Sequence, residues 1–353
     1  MSEIIEVRKE EQLPLDQVND YIDQHIEGVP HEPLRIKQFS AGHSNLTYLL
    51  KRGDWEAVLR RPPLGPIAPR AHDMEREYTW LSRLHSHFQI APKPYTFSDD
   101  ETVIGAPFFI MERRKGLVFD TEIPSSITYE ASMGNQLSHL MVDTLVQLHA
   151  VDPAKANLLE MTKPEGFMER QANSWTKRYQ RVETTKLPDV ERLMDYLVTH
   201  VPKTAQATII HYDYKLNNAM FSEDLSQMTG LFDWEMSTVG DPLVDLAVAM
   251  SYWIEPDDPD ILKYALGTPP VTMMDGFYTR QQFIEAYAKK SGRDVSNIHY
   301  YMTFAYFKLA VIGQQIYYRY AKGQTTDSRF KHFNRLVSNM VQLAVQTMDE
   351  AYD

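Results

Sequence analysis

Two neighbouring stretches decide the reading: Ile209-Ile210-His211-Tyr212-Asp213-Tyr214-Lys215-Leu216-Asn217-Asn218 and Gly230-Leu231-Phe232-Asp233-Trp234-Glu235. The first holds His-x-Asp-x-x-x-x-Asn after an apolar run, and the second delivers a further Asp from another apolar run. Phosphoryl transfer needs these residue types. A carboxylate must orient the attacking hydroxyl and accept its proton, and hard oxygen ligands must hold Mg2+ against the phosphates. Asp213 suits the first role, Asn218 and Asp233 the second. The plainer reading makes Asp213 and Asn218 turn formers between two strands and Asp233 a turn cap. Three fixed residue types, each placed where the chemistry wants it, favour the catalytic reading.

Upstream, residues 34–61 carry short β-rich runs at Leu34–Phe39, Asn45–Lys51 and Trp55–Arg61, which predict an antiparallel three-strand meander. The loop Ser40-Ala41-Gly42-His43-Ser44 has small residues that let backbone N–H groups approach phosphate oxygens, although a plain hairpin connection reads equally well. Ala57-Val58-Leu59-Arg60 puts a cation on the third strand, where a phosphate-pairing Lys is usual, and Arg can grip phosphate bidentately. A Pro-rich loop, Pro62 to Pro69, precedes a one-faced helix over Ala71–His85 with Met74, Tyr78, Leu81 and Leu84. That helix offers Glu77 as partner for Arg60; spacing alone does not separate it from Glu75 in the same turn. Strands at Lys93–Phe97 and Pro107–Met111 follow.

A short amphipathic helix (Leu15, Val18, Ile22, Ile26, with Gly28 as stop) is expected to pack on the outside of this β-rich region. Beyond Glu112-Arg113-Arg114-Lys115-Gly116 the pattern turns helical: Leu137 to His149, Asp189–His200, Tyr301–Tyr320, and a closing helix with Phe333, Leu336, Val337, Met340, Val341 and Ala344. The β interruptions there are Thr208–Ile210, Ala219–Phe221 and Gly230–Phe232. The expected fold class is therefore α+β: a small antiparallel β-rich lobe over 1–112, binding nucleotide, and a large, mainly helical lobe over 113–353, carrying catalysis and the acceptor. Between the lobes, Met111 to Arg114 forms a hinge whose backbone can pair with adenine, a polar linker being the plainer alternative. Gly240-Asp241-Pro242 reads as a helix start with Asp241 as N-cap. Only seven residues separate Asp233 from Asp241, which leaves no room for a peptide-binding activation segment and points to a small-molecule acceptor.

Composition sets outer bounds. The 353 residues carry a net charge of −12, which repels a phosphodiester backbone, so no nucleic-acid partner is expected. The absence of Cys removes thiolate nucleophiles and Cys-ligated metals. No apolar stretch approaches the ~18 residues that span a bilayer and no signal-peptide core is present, so the expectation is a soluble cytoplasmic protein without membrane partners. Gly-x-Ser-x-Gly, His-Glu-x-x-His and Walker-type motifs are absent, and His85-x-His87 reads as a polar helix end. The carboxylate excess leans towards a cationic acceptor, but net charge describes the whole surface and not the pocket.

The sequence resembles the aminoglycoside phosphotransferase-like family of protein-kinase-like folds, and within it the branch that includes the kinase-like domain fused to some acyl-CoA dehydrogenases. The resemblance rests on Gly42 to Tyr48, Val58-Leu59-Arg60-Arg61-Pro62-Pro63, Arg76-Glu77-Tyr78, Leu148 to Asp152, His211 to Asn218, Asp233-Trp234-Glu235 and Gly240 to Ala247. It implies a bilobal protein-kinase-like fold and ATP with Mg2+ as cofactors. It implies a nucleotide site through Ser44, Asn45, Arg60, Glu77, Met111 and Arg113, metal ligands Asn218 and Asp233, and Asp213 as base. By analogy it selects Glu77 over Glu75. The implied acceptors are aminoglycosides, other hydroxylated metabolites or, in the closer branch, hydroxyacyl thioesters. Two positions depart from the family pattern: Tyr212 stands where Gly is usual after the His, and Asn217 where Asp is usual before the Asn. These departures, with Arg60, motivate the alternative of a nucleotide-binding pseudokinase without transfer activity.

Overall fold

The computed structural model describes residues 4–40, 45–65, 72–204, 206–264, 268–325 and 327–350. The chain forms two units: Met1–Phe119 with Asn217–Met236, and Asp120–Leu216 with Ser237–Asp353.

The first unit contains β1 (Ile4–Ile5), α1 (Leu15–His25), β2 (Arg35–Phe39), β3 (Leu46–Arg52), β4 (Trp55–Arg61), α2 (Met74–Leu84), β5 (Pro94–Ser98), the short α3 (Glu101–Ile104) and β6 (Phe108–Glu112). The six strands make one antiparallel sheet in the order β1-β2-β3-β4-β6-β5. The predicted meander is present as β2-β3-β4, with Leu49 opposite Val58 and Thr47 opposite Arg60. Because side chains alternate along a strand, Leu50, Ala57, Leu59, Phe108 and Ile110 cluster on one face with Val18, Tyr21 and Ile22 of α1. Helix α1 therefore packs on the outer face of this sheet as expected, with Val18, Tyr21 and Ile22 in the core. Leu15, read as one of its apolar positions, is 48% exposed. Arg60 alternates with Leu59 and points to the opposite face.

A hairpin of Ala219–Phe221 and Met228–Leu231 completes this unit. Residues after β6 run beside it: Leu117 and Phe221 exchange backbone hydrogen bonds of 2.7 and 2.8 Å. Gly116 permits this approach, since a Cβ there would stand 2.2 Å from the Phe221 carbonyl oxygen.

The second unit is mainly helical: α4 (Ala131–Ala150), α5 (Phe167–Val182), α6 (Val190–Thr199), α7 (Pro242–Tyr252), the short α8 (Asp260–Lys263), α9 (Arg280–Ser291), α10 (Ile298–Ala321) and α11 (Phe333–Glu350). Phe304, Phe307, Ala310 and Val311 are wholly buried on α10, matching its apolar reading. Asp241 caps α7 as expected: one carboxylate oxygen accepts from Leu243 N–H at 2.9 Å and the other from the Tyr301 hydroxyl at 2.7 Å. Thr208–Ile210 pairs antiparallel with Thr238–Gly240, a strand the sequence reading did not include. No helix among the described residues is long and apolar enough to cross a membrane.

Candidate active site

In the first unit, β4 and α2 bring Arg60 and Glu77 together. Helix α2 starts at the Asp73 cap, whose carboxylate accepts from Arg76 N–H at 3.0 Å. It buries Met74, Glu77, Trp80, Leu81 and Leu84 on one face. Glu77, only 2% exposed, places Oε2 3.3 Å from Arg60 Nε, while Glu75 is exposed. The same guanidinium gives Nη2 to Asp233 Oδ1 at 2.6 Å. Asp233 leaves the hairpin in a left-handed turn at φ 66°, and the N–H of Phe232, just before it, bonds the carbonyl of Asn218 at 2.9 Å. The hairpin thus holds Asn218 and Asp233 at adjacent backbone positions.

Asn45 joins this group. Oriented to satisfy its neighbours, its amide oxygen accepts from Arg60 at 3.2 and 2.8 Å and its nitrogen donates to His72 Nδ1 at 2.9 Å. Glu235, 3.9 Å from His72 Nδ1, adds another carboxylate. Burial opposes the Arg60 charge, yet Glu77, Asp233 and Glu235 outweigh it and raise the guanidinium pKa. For Glu77, burial dominates over Arg60; with Asp233 and Glu235 nearby it pushes the carboxyl up to about 7. Burial and then Asp233 also raise Glu235. Glu77, Asp233 and Glu235 all act on Arg60, and Arg76 lies near Glu77 and donates to the Glu235 carbonyl at 2.9 Å. Among the described residues no group of three or more acidic or histidine side chains is placed to hold a metal ion by itself.

Other nucleotide-site candidates are distributed through the same unit. Met111 lies in β6 opposite Val58, and the Arg113 side chain pairs with Glu56 at 2.7 Å. Ser44, with all of 41–44, lies outside the described residues.

Asp213 belongs to the second unit, where several groups hold the backbone around it. Asp245, at the start of α7 and wholly buried, accepts from the N–H groups of His211 and Tyr212, both at 2.7 Å. Its third partner is His149 Nε2 at 3.1 Å, and His149 Nδ1 meets the Tyr287 hydroxyl at 2.6 Å. Burial works to raise the Asp245 pKa, but His149 and the His211 contacts bring it below the usual carboxylate range. The carbonyl of His211 accepts from Ser237 at 3.2 Å, and the Tyr214 hydroxyl bonds the Met141 carbonyl at 2.7 Å. Asp213 itself pairs with Lys215 Nζ at 3.0 Å and bonds the Tyr252 hydroxyl. Tyr212 turns its ring inward and is 4% exposed, with Phe167 at 6.0 Å. Sequence reasoning quoted His149 and Asp245 only as parts of family motifs, and Lys215 and Tyr252 were not singled out.

A model of the phosphotransferase enzyme family matches residues 35–268. The chain belongs to that family. Among curated proteins, it is 30% identical over 339 residues, 96% of its length, to acyl-CoA dehydrogenase family member 10 of Mus musculus. It spans 31% of that longer relative. Among solved structures it resembles a Ralstonia eutropha protein provisionally assigned as an aminoglycoside phosphotransferase. Here the TM-score is 0.81 at 27% identity, covering 96% of this chain and 99% of the other. A spectinomycin phosphotransferase solved with ADP and spectinomycin has a TM-score of 0.58 at 12% identity, with 94% and 98% covered, a likeness of fold. The expected kinase-like α+β fold and family membership are thus both met.

Proposed function

We propose that this chain transfers the γ-phosphoryl group of ATP, with Mg2+, to a hydroxyl of a small molecule. The observation that carries this is the buried Arg60 shared between Glu77 and Asp233. It is the pairing of strand cation, helix carboxylate and metal-binding carboxylate that phosphoryl transfer employs. Arg60 would pair with phosphate oxygens once nucleotide competes for it, and Glu77 would keep its guanidinium in place. Asn218 and Asp233 supply the donor types that hold Mg2+, which neutralises charge on the phosphates when bound. Ser44 and Asn45 would contact the nucleotide, and the chain at Met111 and Arg113 would receive adenine. Asp213 accepts the acceptor hydroxyl's proton; that oxygen bonds to the γ-phosphorus as the bond to the β-phosphate oxygen breaks, leaving ADP. Positioning supplies most of the rate. The inward-turned Tyr212 supports transfer over a pseudokinase role, because its side chain is taken up by packing within the helical unit.

For the acceptor we favour a hydroxyacyl thioester. The name of the mouse relative points to acyl-CoA chemistry. The setting of Asp213 agrees, with Lys215 against its carboxylate, because a cation there suits an anionic molecule better than the cationic acceptor that net charge suggests. Incubation with ATP labelled at the γ-phosphate against hydroxyacyl-CoA compounds, aminoglycosides, sugars and choline-like alcohols tests this. Label moving to the thioesters is expected. Transfer confined to the cationic alcohols would reverse the assignment.

A further inference from the structure

Tyr212 occupies a backbone conformation that a large L-residue rarely adopts, at φ 67°, directly before Asp213. A left-handed non-glycine residue costs roughly 1–2 kcal/mol and persists only where its surroundings fix it. Asp245 accepts its N–H at 2.7 Å, and two further side chains hold the rest of the residue. Lys308, in the middle of α10 and 3% exposed, places its ammonium 3.8 Å from the centroid of the Tyr212 ring and donates to the Tyr212 carbonyl at 3.2 Å. It thus grips the same residue by ring and by backbone. The second support is Gln171, whose Oε1 accepts from the Tyr212 hydroxyl and from Trp175 Nε1, both at 3.1 Å.

An ammonium this buried is costly unless a specific contact repays its lost hydration. The charged groups around it are Asp213 and Lys215 of the loop, Asp245 of α7 and Arg178 of α5. Burial lowers its pKa to about 8, with Asp213 and Asp245 opposing. Its ammonium donates to the carbonyl of the peptide that leads into Asp213.

We propose that Lys308 is a positioning residue for phosphoryl transfer: by clamping the ring and carbonyl of left-handed Tyr212 it fixes the peptide that carries Asp213. The proposal rests on the reading of Asp213 as base. A buried Lys that merely filled space would be replaced by Met with little consequence, because an apolar side chain of similar length suits the site. A clamp would not.

The test compares wild type, Lys308→Met, Lys308→Arg and Asp213→Ala as full chains. Phosphate release from Mg-ATP is measured without added acceptor, water taking the hydroxyl's place, together with amide hydrogen exchange over 208–216 and thermal stability. In Lys308→Met, exchange at Tyr212 and Asp213 is expected to quicken at least tenfold and kcat to fall ~10–100-fold, with KM for Mg-ATP within twofold. Lys308→Arg, whose guanidinium can stack on the ring and donate to the carbonyl, should restore most of both. Exchange and kcat in Lys308→Met within threefold and twofold of wild type would overturn the proposal. So would equal unfolding of the Met and Arg variants, which would make Lys308 structural only. An Asp213→Ala chain with full turnover would refute the base reading, whereas an inactive Asp213→Ala beside a normal Lys308→Met refutes the clamp alone.

Discussion

Replacing Glu77 by Gln isolates the electrostatic strain around Arg60. In the unfolded chain the Glu77 carboxyl titrates near 4.5; in the folded protein burial, with Asp233 and Glu235, pushes it up to about 7 despite Arg60. Below 4.5 the group is protonated in both states and its stabilising difference is fully present. As pH rises, the unfolded chain ionises first and that stability drains away until the folded carboxyl has also ionised, near 7. At ~1.4 kcal/mol per pH unit the loss is on the order of 3 kcal/mol. Glu77 Oε2 is buried with only the 3.3 Å ion pair, and burial outweighs both Arg60 and the backbone hydrogen bond from Trp234 that favour the ionised form. Urea denaturation of the nucleotide-free protein at pH 5, 6, 7 and 8 should show wild type losing stability relative to Glu77→Gln across that range. The variant should match or exceed wild type at pH 8. Its affinity for Mg-ATP should fall, because Arg60 has lost its helix partner. Parallel pH curves for the two proteins would refute the reasoning.

Arg60→Ala leaves the Glu77, Asp233 and Glu235 carboxylates without their shared guanidinium; it should destabilise the protein by about 3 kcal/mol at pH 8 and abolish the thermal shift that Mg-ATP produces, both read by thermal denaturation. Chelation of divalent cations with EDTA should remove the same nucleotide-dependent shift from wild type while leaving the nucleotide-free melting temperature in place. Asp245→Ala removes the acceptor for two loop N–H groups and strands buried His149; a loss of about 3–5 kcal/mol is expected in urea denaturation. Asp241→Ala, which deletes a helix cap, should cost closer to 1 kcal/mol.

The sheet was legible because its strands are short β-rich apolar runs separated by turn residues. Expected Trp55–Arg61 coincides with β4, and the other expected sheet strands differ by about one residue at their ends. Two short strands were not read: Ile4–Ile5 has only two residues, and Thr238–Gly240 lies directly before the Asp241 cap, where the helix-start signal dominates. Helix α5 was overlooked although Phe167, Met168, Ala172, Trp175 and Tyr179 fall on its buried face, because charged residues are interleaved and its first turn has no side-chain cap. Helix α9 did carry a readable signal, the Thr279–Gln282 capping box ending at left-handed Gly292. In the site, Arg60, Glu77, Asn218, Asp233 and Asp213 fall within local motifs. The pairings that support them are not local: Asp245, though within the Gly240 to Ala247 motif, lies 34 residues from His211, and Lys308 lies 96 from Tyr212. Such pairings form only through tertiary packing, and no local pattern announces them.

The central claim is that Asp213 takes the acceptor's proton while Arg60, Asn218 and Asp233 hold Mg-ATP. Its most direct test is a paired measurement on Asp213→Ala, the dissociation constant for Mg-ATP by calorimetry and the rate of label transfer to the acceptor that the screen returns. The account predicts nucleotide affinity within about threefold of wild type and transfer reduced at least ~100-fold. Transfer at the wild-type rate in that variant would contradict it.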